Sequence, residues 1–244
     1  MDPVLPTALV QGTARMIARI KDKREVARGT LEVTFVCDEP FTFRPGQFFT
    51  LILPDPPYTD ERGNRRYFSI ANSPNNKGII TIVTRLRDSA FKRSLREMPP
   101  GSEVEIGKIA GNLVLPDDRS RPIVMIAGGI GISPFMSMLR YVVEGKLDYR
   151  ITLLYSNRNP ESAAYLDELK QMPIRLVLTM DGDPTWPGEK RTIDAQVIRD
   201  YLPNRSECSF MIAGPPGMSE SLLAALLDAG VDKKHVKVEK FTGY

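Results

Sequence analysis

The chain has 244 residues, with 33 basic and 30 acidic side chains and a formal net charge of +3. This near balance argues against a nucleic-acid-binding protein, which usually carries a basic excess on one face. Two cysteines cannot supply the four thiolates of a common iron–sulfur cluster, and a single histidine cannot build a zinc site from several imidazoles. Any redox centre is therefore expected to be an organic cofactor.

The first residues show no charged segment ahead of an apolar core, so the sequence predicts no signal peptide. The longest apolar stretch, Ile123–Leu139, contains three glycines and a proline. It is too short and too interrupted to span a bilayer. A cytoplasmic location is the resulting expectation.

The N-terminal half is predicted to consist of short strands. Thr30–Val36, Gln47–Leu53 and Gly78–Leu86 are rich in β-branched and aromatic residues and are separated by proline and glycine turns. One helix is predicted to begin after an N-cap at Ser89 and to end before Pro99. Many short strands with such turns indicate a β-barrel or a β-sandwich.

The C-terminal half is predicted to alternate strands with helices, which indicates parallel βαβ units. The predicted strands are Pro122–Ala127, Ile151–Tyr155, Ile174–Thr179, Ser209–Ala213 and Val236–Phe241. The predicted helices are Ser133–Glu144, Ser162–Gln171, Asp194–Tyr201 and Ser219–Ala229. A polar connector at residues 117–120 suggests two domains, 1–118 and 119–244.

Three motifs have the composition of ligand-binding segments. Gly128–Pro134 joins a buried strand to a helix, where glycines let a phosphate approach and helix amides favour an anion. Ala213–Met218 also follows a strand, so the two loops are expected to face one crevice at the carboxyl edge of the sheet. Arg65–Ser69 combines arginine, aromatic rings and a hydroxyl, which suits an anionic aromatic ligand. Taken singly, each segment has a structural alternative: Gly128–Pro134 as a tight turn, Ala213–Met218 as an ordinary loop and Arg65–Ser69 as a solvated edge strand.

Together and in this order, the motifs resemble the ferredoxin–NADP reductase superfamily, from Pro45 to the C-terminus. The resemblance implies an antiparallel β-barrel that binds FAD, followed by a parallel-sheet α/β domain that binds NAD(P). It implies a minimal two-domain form without an iron–sulfur domain. The implied activity is that of an NAD(P)H-dependent flavoprotein reductase.

Arg66–Ser69 matches the family's Arg-x-Tyr-Ser motif, with Phe68 in the tyrosine position. The resemblance places Arg66 on the FAD pyrophosphate, Phe68 against the isoalloxazine ring and Ser69 near flavin N5. The remaining residues that it implies for FAD are Tyr67, Val83, Thr84, Arg85, Ala90, Phe91 and Lys92.

Gly129, Gly131 and Pro134 resemble the family's G-x-G-x-x-P motif for the nicotinamide dinucleotide. Ala213–Pro216 resembles its Cys-Gly-Pro-Pro motif, with Ala213 in the place of the cysteine. The full set implied for this cofactor is Gly128, Gly129, Gly131, Ser133, Pro134, Ser156, Arg158, Ala213, Gly214, Pro215 and Met218. No acid follows the second strand of this half, so Ser156 and Arg158 favour NADPH over NADH. Arg158 is alternatively a solvated loop arginine.

The C-terminal segment resembles the part of the family in which an aromatic ring covers the flavin. Phe241 aligns with that ring, Tyr244 is an alternative, and Phe241 is otherwise the last core residue. The candidate catalytic residues are Ser69, Glu239 and Phe241.

The expected acceptor is an electron-carrier protein such as ferredoxin or flavodoxin. Such carriers are acidic, and clustered basic side chains near the implied flavin edge suit them: Arg85, Arg87, Lys92, Arg93 and Arg96. The alternatives are an electron-transfer subunit of a larger assembly and a reductase of free flavin.

Overall fold

The computed structural model describes residues 15–202 and 204–241, which form two sheets, each with its own core. The first sheet is antiparallel, and its strands follow the order β4-β3-β6-β1-β2-β5. These are β1 (Met16–Ala27), β2 (Thr30–Cys37), β3 (Phe48–Ile52), β4 (Arg65–Ser69), β5 (Ile79–Arg85) and β6 (Glu103–Ala110). The edge strands β4 and β5 approach each other, so the sheet curls into a barrel.

Alternating side chains of these strands fill the barrel. Val33 and Phe35 point inward from β2 and are fully buried, as are Phe49 and Leu51 from β3. Helix α1 (Ala90–Glu97) packs Phe91 and Leu95 into the same core. The Ser89 side chain accepts a hydrogen bond from the Lys92 amide, which is the N-cap that the sequence predicts.

The second sheet is parallel, with the order β11-β10-β7-β8-β9. Its strands are β7 (Ile123–Gly128), β8 (Ile151–Asn157), β9 (Arg175–Met180), β10 (Ser209–Gly214) and β11 (Val236–Lys240). Its helices are α2 (Ile132–Glu144), α3 (Leu166–Gln171), α4 (Ala195–Tyr201) and α5 (Pro216–Asp228). The predicted fold class is therefore confirmed, whereas the domain boundary at residue 118 stays a prediction. No helix in the described part of the chain has the length and apolar character needed to cross a membrane.

Two strands of the barrel, β1 and β6, were not predicted. In β1 only Ala18 and Ile20 are buried, and charged side chains surround them. A buried face of two residues produces too weak an alternation to be recognised.

A buried polar cluster joins the barrel to the parallel sheet. The Tyr165 hydroxyl donates to Glu32 at 2.6 Å, and Arg24 forms an ion pair with the same carboxylate. Arg140 lies 4.8 Å from the Tyr165 ring centroid and donates to the carbonyl of Ala71 in the barrel. Burial, followed by the nearby Glu32 carboxylate, raises the pKa of Tyr165, so its hydroxyl stays a donor. The two units are thus held at a defined separation.

We expect Tyr165→Phe to lower the free energy of unfolding by about 1.5–3 kcal/mol, because it removes a hydrogen bond to a buried carboxylate. Urea unfolding measures this change. Tyr58→Phe is the matched control, since the Tyr58 hydroxyl donates to Glu97 at the surface. Equal losses of unfolding free energy in the two variants would show that the buried hydrogen bond contributes no more to stability than the exposed one.

Candidate active site

The first large cavity, here called the barrel cleft, has a volume of about 750 Å³ and opens on strand β4. Its lining contains Ser69, Tyr67 and Phe68 from β4, and Glu239 and Phe241 from the C-terminal segment. Six lining residues are cationic, against the single carboxylate of Glu239: Arg62, Arg65, Arg66, Lys92, Lys108 and Lys240. This excess of positive charge favours an anionic ligand.

Arg66 is held in a fixed position at the N-terminus of α1. Its guanidinium carbon lies 5.1 Å from the Phe91 ring centroid. One of its terminal nitrogens donates to three carbonyls of the preceding loop and strand, those of Arg62, Gly63 and Arg65. Its other terminal nitrogen lies 3.5 Å from the Asp60 carboxylate. A guanidinium oriented in this way suits a phosphate.

Lys92 lies within the same cleft and is only 6% exposed. Burial, and then the nearby Arg87 and Arg66, lower its pKa to about 8. A bound anion would oppose both effects, since it favours the charged amine. The sequence predicted that the backbone of Lys92 contributes to the FAD site. In the structure its amide donates to the Ser89 hydroxyl, and Lys92 lines the cleft.

The two aromatic rings of the Arg-x-Tyr-Ser motif lie in different environments. Phe68 is 5% exposed and stacks on Phe91, with 6.0 Å between ring centroids. Tyr67 is 69% exposed and meets Phe48 edge-on. The Tyr67 side chain is therefore far more exposed than that of Phe68.

Ser69 and Glu239 bring the two units together inside the barrel cleft. The Ser69 hydroxyl donates to the Glu239 carboxylate at 3.0 Å, although 170 positions separate the residues. Burial raises the pKa of Glu239, and the bond from Ser69 lowers it in part. Two of the predicted catalytic residues are therefore in contact.

The neighbouring strand β5 contributes less to this cleft than expected. Val83 and Thr84 are buried in the protein and line neither cleft. Arg85 does not reach the barrel cleft either. It lines the second cavity, which is described next.

The second cavity, here called the sheet-edge cleft, has a volume of about 670 Å³. It lies at the carboxyl ends of β7, β8 and β10, the position at which open α/β sheets bind ligands. The predicted residues that line it are Gly128, Gly129, Ser156, Arg158, Gly214, Pro215 and Met218. Arg28, Arg85 and Arg87 line it from the barrel, so cationic side chains of both units surround it.

Gly129 and Gly131 of the first loop have different structural roles. Gly129 has a φ of +53°, and a Cβ there would lie 3.4 Å from an Arg85 terminal nitrogen, at the cleft surface. A Cβ at Gly131 would lie 2.1 Å from the carbonyl oxygen of Ala213. Gly131 therefore allows the loop to pack against β10 and does not face the cleft.

Three more predicted cofactor residues support the loops without lining the cleft. Ser133 and Pro134 are buried in the first turn of α2, where the Ser133 hydroxyl donates to the carbonyl of Ile130. Ala213 is fully buried. Ala90 and Phe91 occupy the start of α1 and do not line the barrel cleft.

Asp181 is a cleft residue that the sequence did not reveal. It follows β9, its amide donates to the carbonyl of Asn157 at 3.1 Å, and it lines the sheet-edge cleft together with Arg158. Thr192 donates to that carboxylate at 3.4 Å. The only available signal was that neighbouring parallel strands end at the same edge.

Phe241 lines both clefts. Its amide donates to the carbonyl of Gly214 at 3.0 Å, which extends the pairing of β11 with β10 by one residue. The backbone is thus fixed at the point where the two cavities meet. Tyr244, the alternative ring, lies outside the described residues.

Comparisons with known proteins agree with this arrangement. Residues 125–223 match the model of the oxidoreductase NAD-binding domain. The chain is 26% identical to a glycine betaine monooxygenase reductase subunit of Chromohalobacter salexigens, over 85% of this chain and 59% of that protein. It is also 26% identical to sulfhydrogenase 1 subunit gamma of Pyrococcus furiosus, over 82% of this chain and 68% of that protein. The chain thus spans about three fifths to two thirds of the length of these relatives.

Solved structures show the same fold. A ferredoxin NADP+ reductase from Neisseria gonorrhoeae, with bound FAD and NADP, superposes with a TM-score of 0.78 at 19% identity, covering 93% of this chain and 98% of that one. The ferredoxin reductase in carbazole 1,9a-dioxygenase gives 0.80 at 24% identity, covering 93% and 69%. The order of a barrel followed by a parallel sheet is common to these proteins and this chain.

We expect Arg66→Ala to weaken FAD binding by about ten- to a hundredfold, because a charge-assisted hydrogen bond contributes about 1.5–3 kcal/mol. Titration of the flavin-stripped protein with FAD, followed by fluorescence, measures the change. Arg65→Ala is the control, since Arg65 is an exposed arginine of the same cleft. A variant at Arg66 that purifies with full flavin would refute the assignment.

We expect Glu239→Gln to remove a pH-dependent loss of stability. The folded pKa of Glu239 lies above its ordinary value of 4.5, so the folded state holds more protons and the stability falls as the pH rises through this range. Glutamine does not titrate, so the variant should match the wild type near pH 4 and exceed it at pH 7. Urea unfolding at several pH values tests this, with Glu220→Gln at an exposed ion pair as the control. Parallel curves for wild type and Glu239→Gln would count against it.

Proposed function

We propose that this chain is a member of the ferredoxin–NADP reductase superfamily and an FAD-dependent oxidoreductase that moves electrons from NADPH or NADH to an electron-carrier protein. The observation that carries the proposal is the position of Phe241, which lines a cationic cleft of the barrel and a glycine-lined cleft of the parallel sheet. One residue thus separates two cavities whose linings suit a flavin and a nicotinamide dinucleotide.

The barrel cleft has the groups that FAD requires. We assign Arg66 and Lys92 to the pyrophosphate, because both are cationic, buried for most of their length and adjacent at the start of α1. We assign Tyr67 or Phe68 to the isoalloxazine ring and Ser69 to its polar edge. When bound, FAD would supply the capacity to accept hydride and to release electrons to a second acceptor.

The sheet-edge cleft has the groups that the nicotinamide cofactor requires. Gly128 and Gly129 allow the close approach of a pyrophosphate, and Arg28, Arg85 and Arg87 supply positive charge from the opposite wall. Phe241 excludes water from the meeting point of the clefts and must move for the nicotinamide ring to come within reacting distance.

The acceptor is proposed to be an acidic protein or domain. Four cations at the barrel cleft are exposed: Arg62, Arg65, Lys108 and Lys240, of which Lys240 forms an ion pair with Glu220. They replace most of the basic cluster suggested by the sequence, since Arg85 and Arg87 line the other cleft and Arg93 is bound to Tyr58 and Glu97. Relatives named as reductase components or subunits pass electrons within larger systems, which supports a protein acceptor.

Anaerobic mixing tests the proposal. Purified protein reconstituted with FAD should retain the flavin through gel filtration and should lose its visible absorption when NADPH or NADH is added. Turnover with a soluble dye should follow. Flavin that elutes separately from the protein but is still reduced would indicate a reductase of free flavin and would refute the proposal.

A cytoplasmic location and the two-domain boundary at residue 118 belong to the same proposal. Cell fractionation tests the location, and limited proteolysis tests the boundary.

We expect NADPH to be used more efficiently than NADH, by at least several-fold. Arg158→Ala should narrow the difference by weakening NADPH alone, because it removes a partner of the 2′-phosphate. Asp181→Asn should widen it, because the Asp181 carboxylate repels that phosphate and can accept a bond from the 2′-hydroxyl of NADH. Steady-state turnover with both cofactors measures these effects, and an NADH preference in the wild type would refute the expectation.

We expect Phe241→Ser to tighten apparent nicotinamide binding by up to about tenfold, because serine has no ring that must move away before the nicotinamide can bind. Rapid-mixing titrations of the FAD-loaded protein measure it. A chain truncated after Phe241 is the companion variant. Tightening in the truncated protein alone would assign the covering ring to Tyr244.

A further inference from the structure

The chain places one of its own carboxylates on Arg66, which is assigned to the FAD pyrophosphate, and on the Ala90 amide, which the family resemblance implies for FAD. Asp60 lies in the loop between β3 and β4. One of its oxygens accepts a hydrogen bond from the Ala90 amide, the first of α1, at 3.2 Å. The other oxygen lies 3.5 Å from the Arg66 guanidinium. A carboxylate at these donors satisfies the same amide and cation that a phosphate would use.

We propose that Asp60 and the pyrophosphate of FAD compete for Ala90 and Arg66, so that residues 59–63 form a strap that flavin binding displaces. The proposal rests on the FAD-binding function proposed above. The affinity for FAD then depends on how much more strongly the pyrophosphate binds these two donors than Asp60 does, because FAD gains the donors only when Asp60 leaves them.

The strap is bounded by two firm anchors. Tyr58 is fixed to α1, since its amide donates to the Ser94 hydroxyl at 2.9 Å and its own hydroxyl donates to Glu97 at 2.7 Å. Asn64 is fixed to the residue that follows β3, since its side-chain amide donates to the Leu53 carbonyl at 2.7 Å. The five residues between the anchors are all exposed. Asp60 can therefore leave the helix N-terminus while the barrel stays unchanged.

Arg66 keeps two contacts outside the strap when Asp60 leaves. The carbonyls of Arg62 and Gly63, to which its other terminal nitrogen donates, move with the strap. The same nitrogen stays bonded to the carbonyl of Arg65 in β4 at 2.7 Å, and the guanidinium carbon lies 5.1 Å from the Phe91 ring centroid. Loss of the carboxylate thus removes a competing negative charge near Arg66 and Lys92. Both cations then attract the pyrophosphate more strongly.

Asp60→Asn tests the competition. The flavin-stripped full chain is titrated with FAD, and we expect the dissociation constant to fall by about five- to tenfold. Glu61→Gln is the matched control, because it removes the same charge from the neighbouring position, which contacts neither Ala90 nor Arg66 in the structure. Its dissociation constant should stay within about twofold of the wild type. Asp60→Ser serves as a second variant and should change affinity in the same direction.

Hydrogen exchange gives an independent readout. On addition of FAD to the wild type, the amides of the strap should exchange faster while those at the start of α1 are protected. Protection of both segments would show that Asp60 stays in place and would overturn the proposal.

Each remaining result also decides the matter. An equal or weaker affinity in Asp60→Asn, or equal tightening in Glu61→Gln, would overturn the strap while leaving FAD binding intact. A wild-type protein that binds no FAD would overturn the proposed function, and the strap with it.

Discussion

The two clefts meet only because the barrel and the parallel sheet keep a fixed position relative to each other. The buried hydrogen bond between Tyr165 and Glu32 helps to hold them in that position. A carboxylate that is 5% exposed must keep its partners, since an unpaired buried charge is strongly destabilising. The partners come from both units, because Arg24 lies in β1 and Tyr165 precedes α3. The separation of the two clefts is therefore set by a polar contact that cannot slide without a large free-energy cost.

The architecture could be predicted because its main signals are local. Alternation marked β2 and β5, continuous apolar runs marked β7 and β10, and Ser89 marked the start of α1. What local patterns missed depends on distant packing. Strand β1 buries only two side chains, and helix α3 begins at Leu166, later than expected, because a short helical turn at residues 160–162 precedes it. Its neighbour Tyr165 has a φ of +61°, a conformation that tertiary contacts impose.

The candidate site was predictable in its motifs but not in the direction of its side chains. Arg66, Ser69 and Phe241 line the barrel cleft, as the resemblance implied. Arg85 was assigned to the flavin, but in the structure it lines the sheet-edge cleft and not the barrel cleft. Asp181 was missed because it lies far from the motifs in sequence. Asp60 lies just before the Arg65–Ser69 motif, but its contact with the Ala90 amide joins residues 30 positions apart and has no local signal.

The position of Phe241 has a consequence for how the two cofactors influence each other. Because one residue lines both clefts, a ligand bound in one cleft changes the affinity for a ligand in the other, and such a coupling is reciprocal. Whatever factor the flavin applies to the affinity for the nucleotide, the nucleotide must apply to the affinity for the flavin. The Phe241 amide is bonded to Gly214, so the side chain has to turn about a fixed backbone, and the coupling depends on the rotamers of one ring. The chain would then hold its flavin with a strength that varies with the supply of reductant.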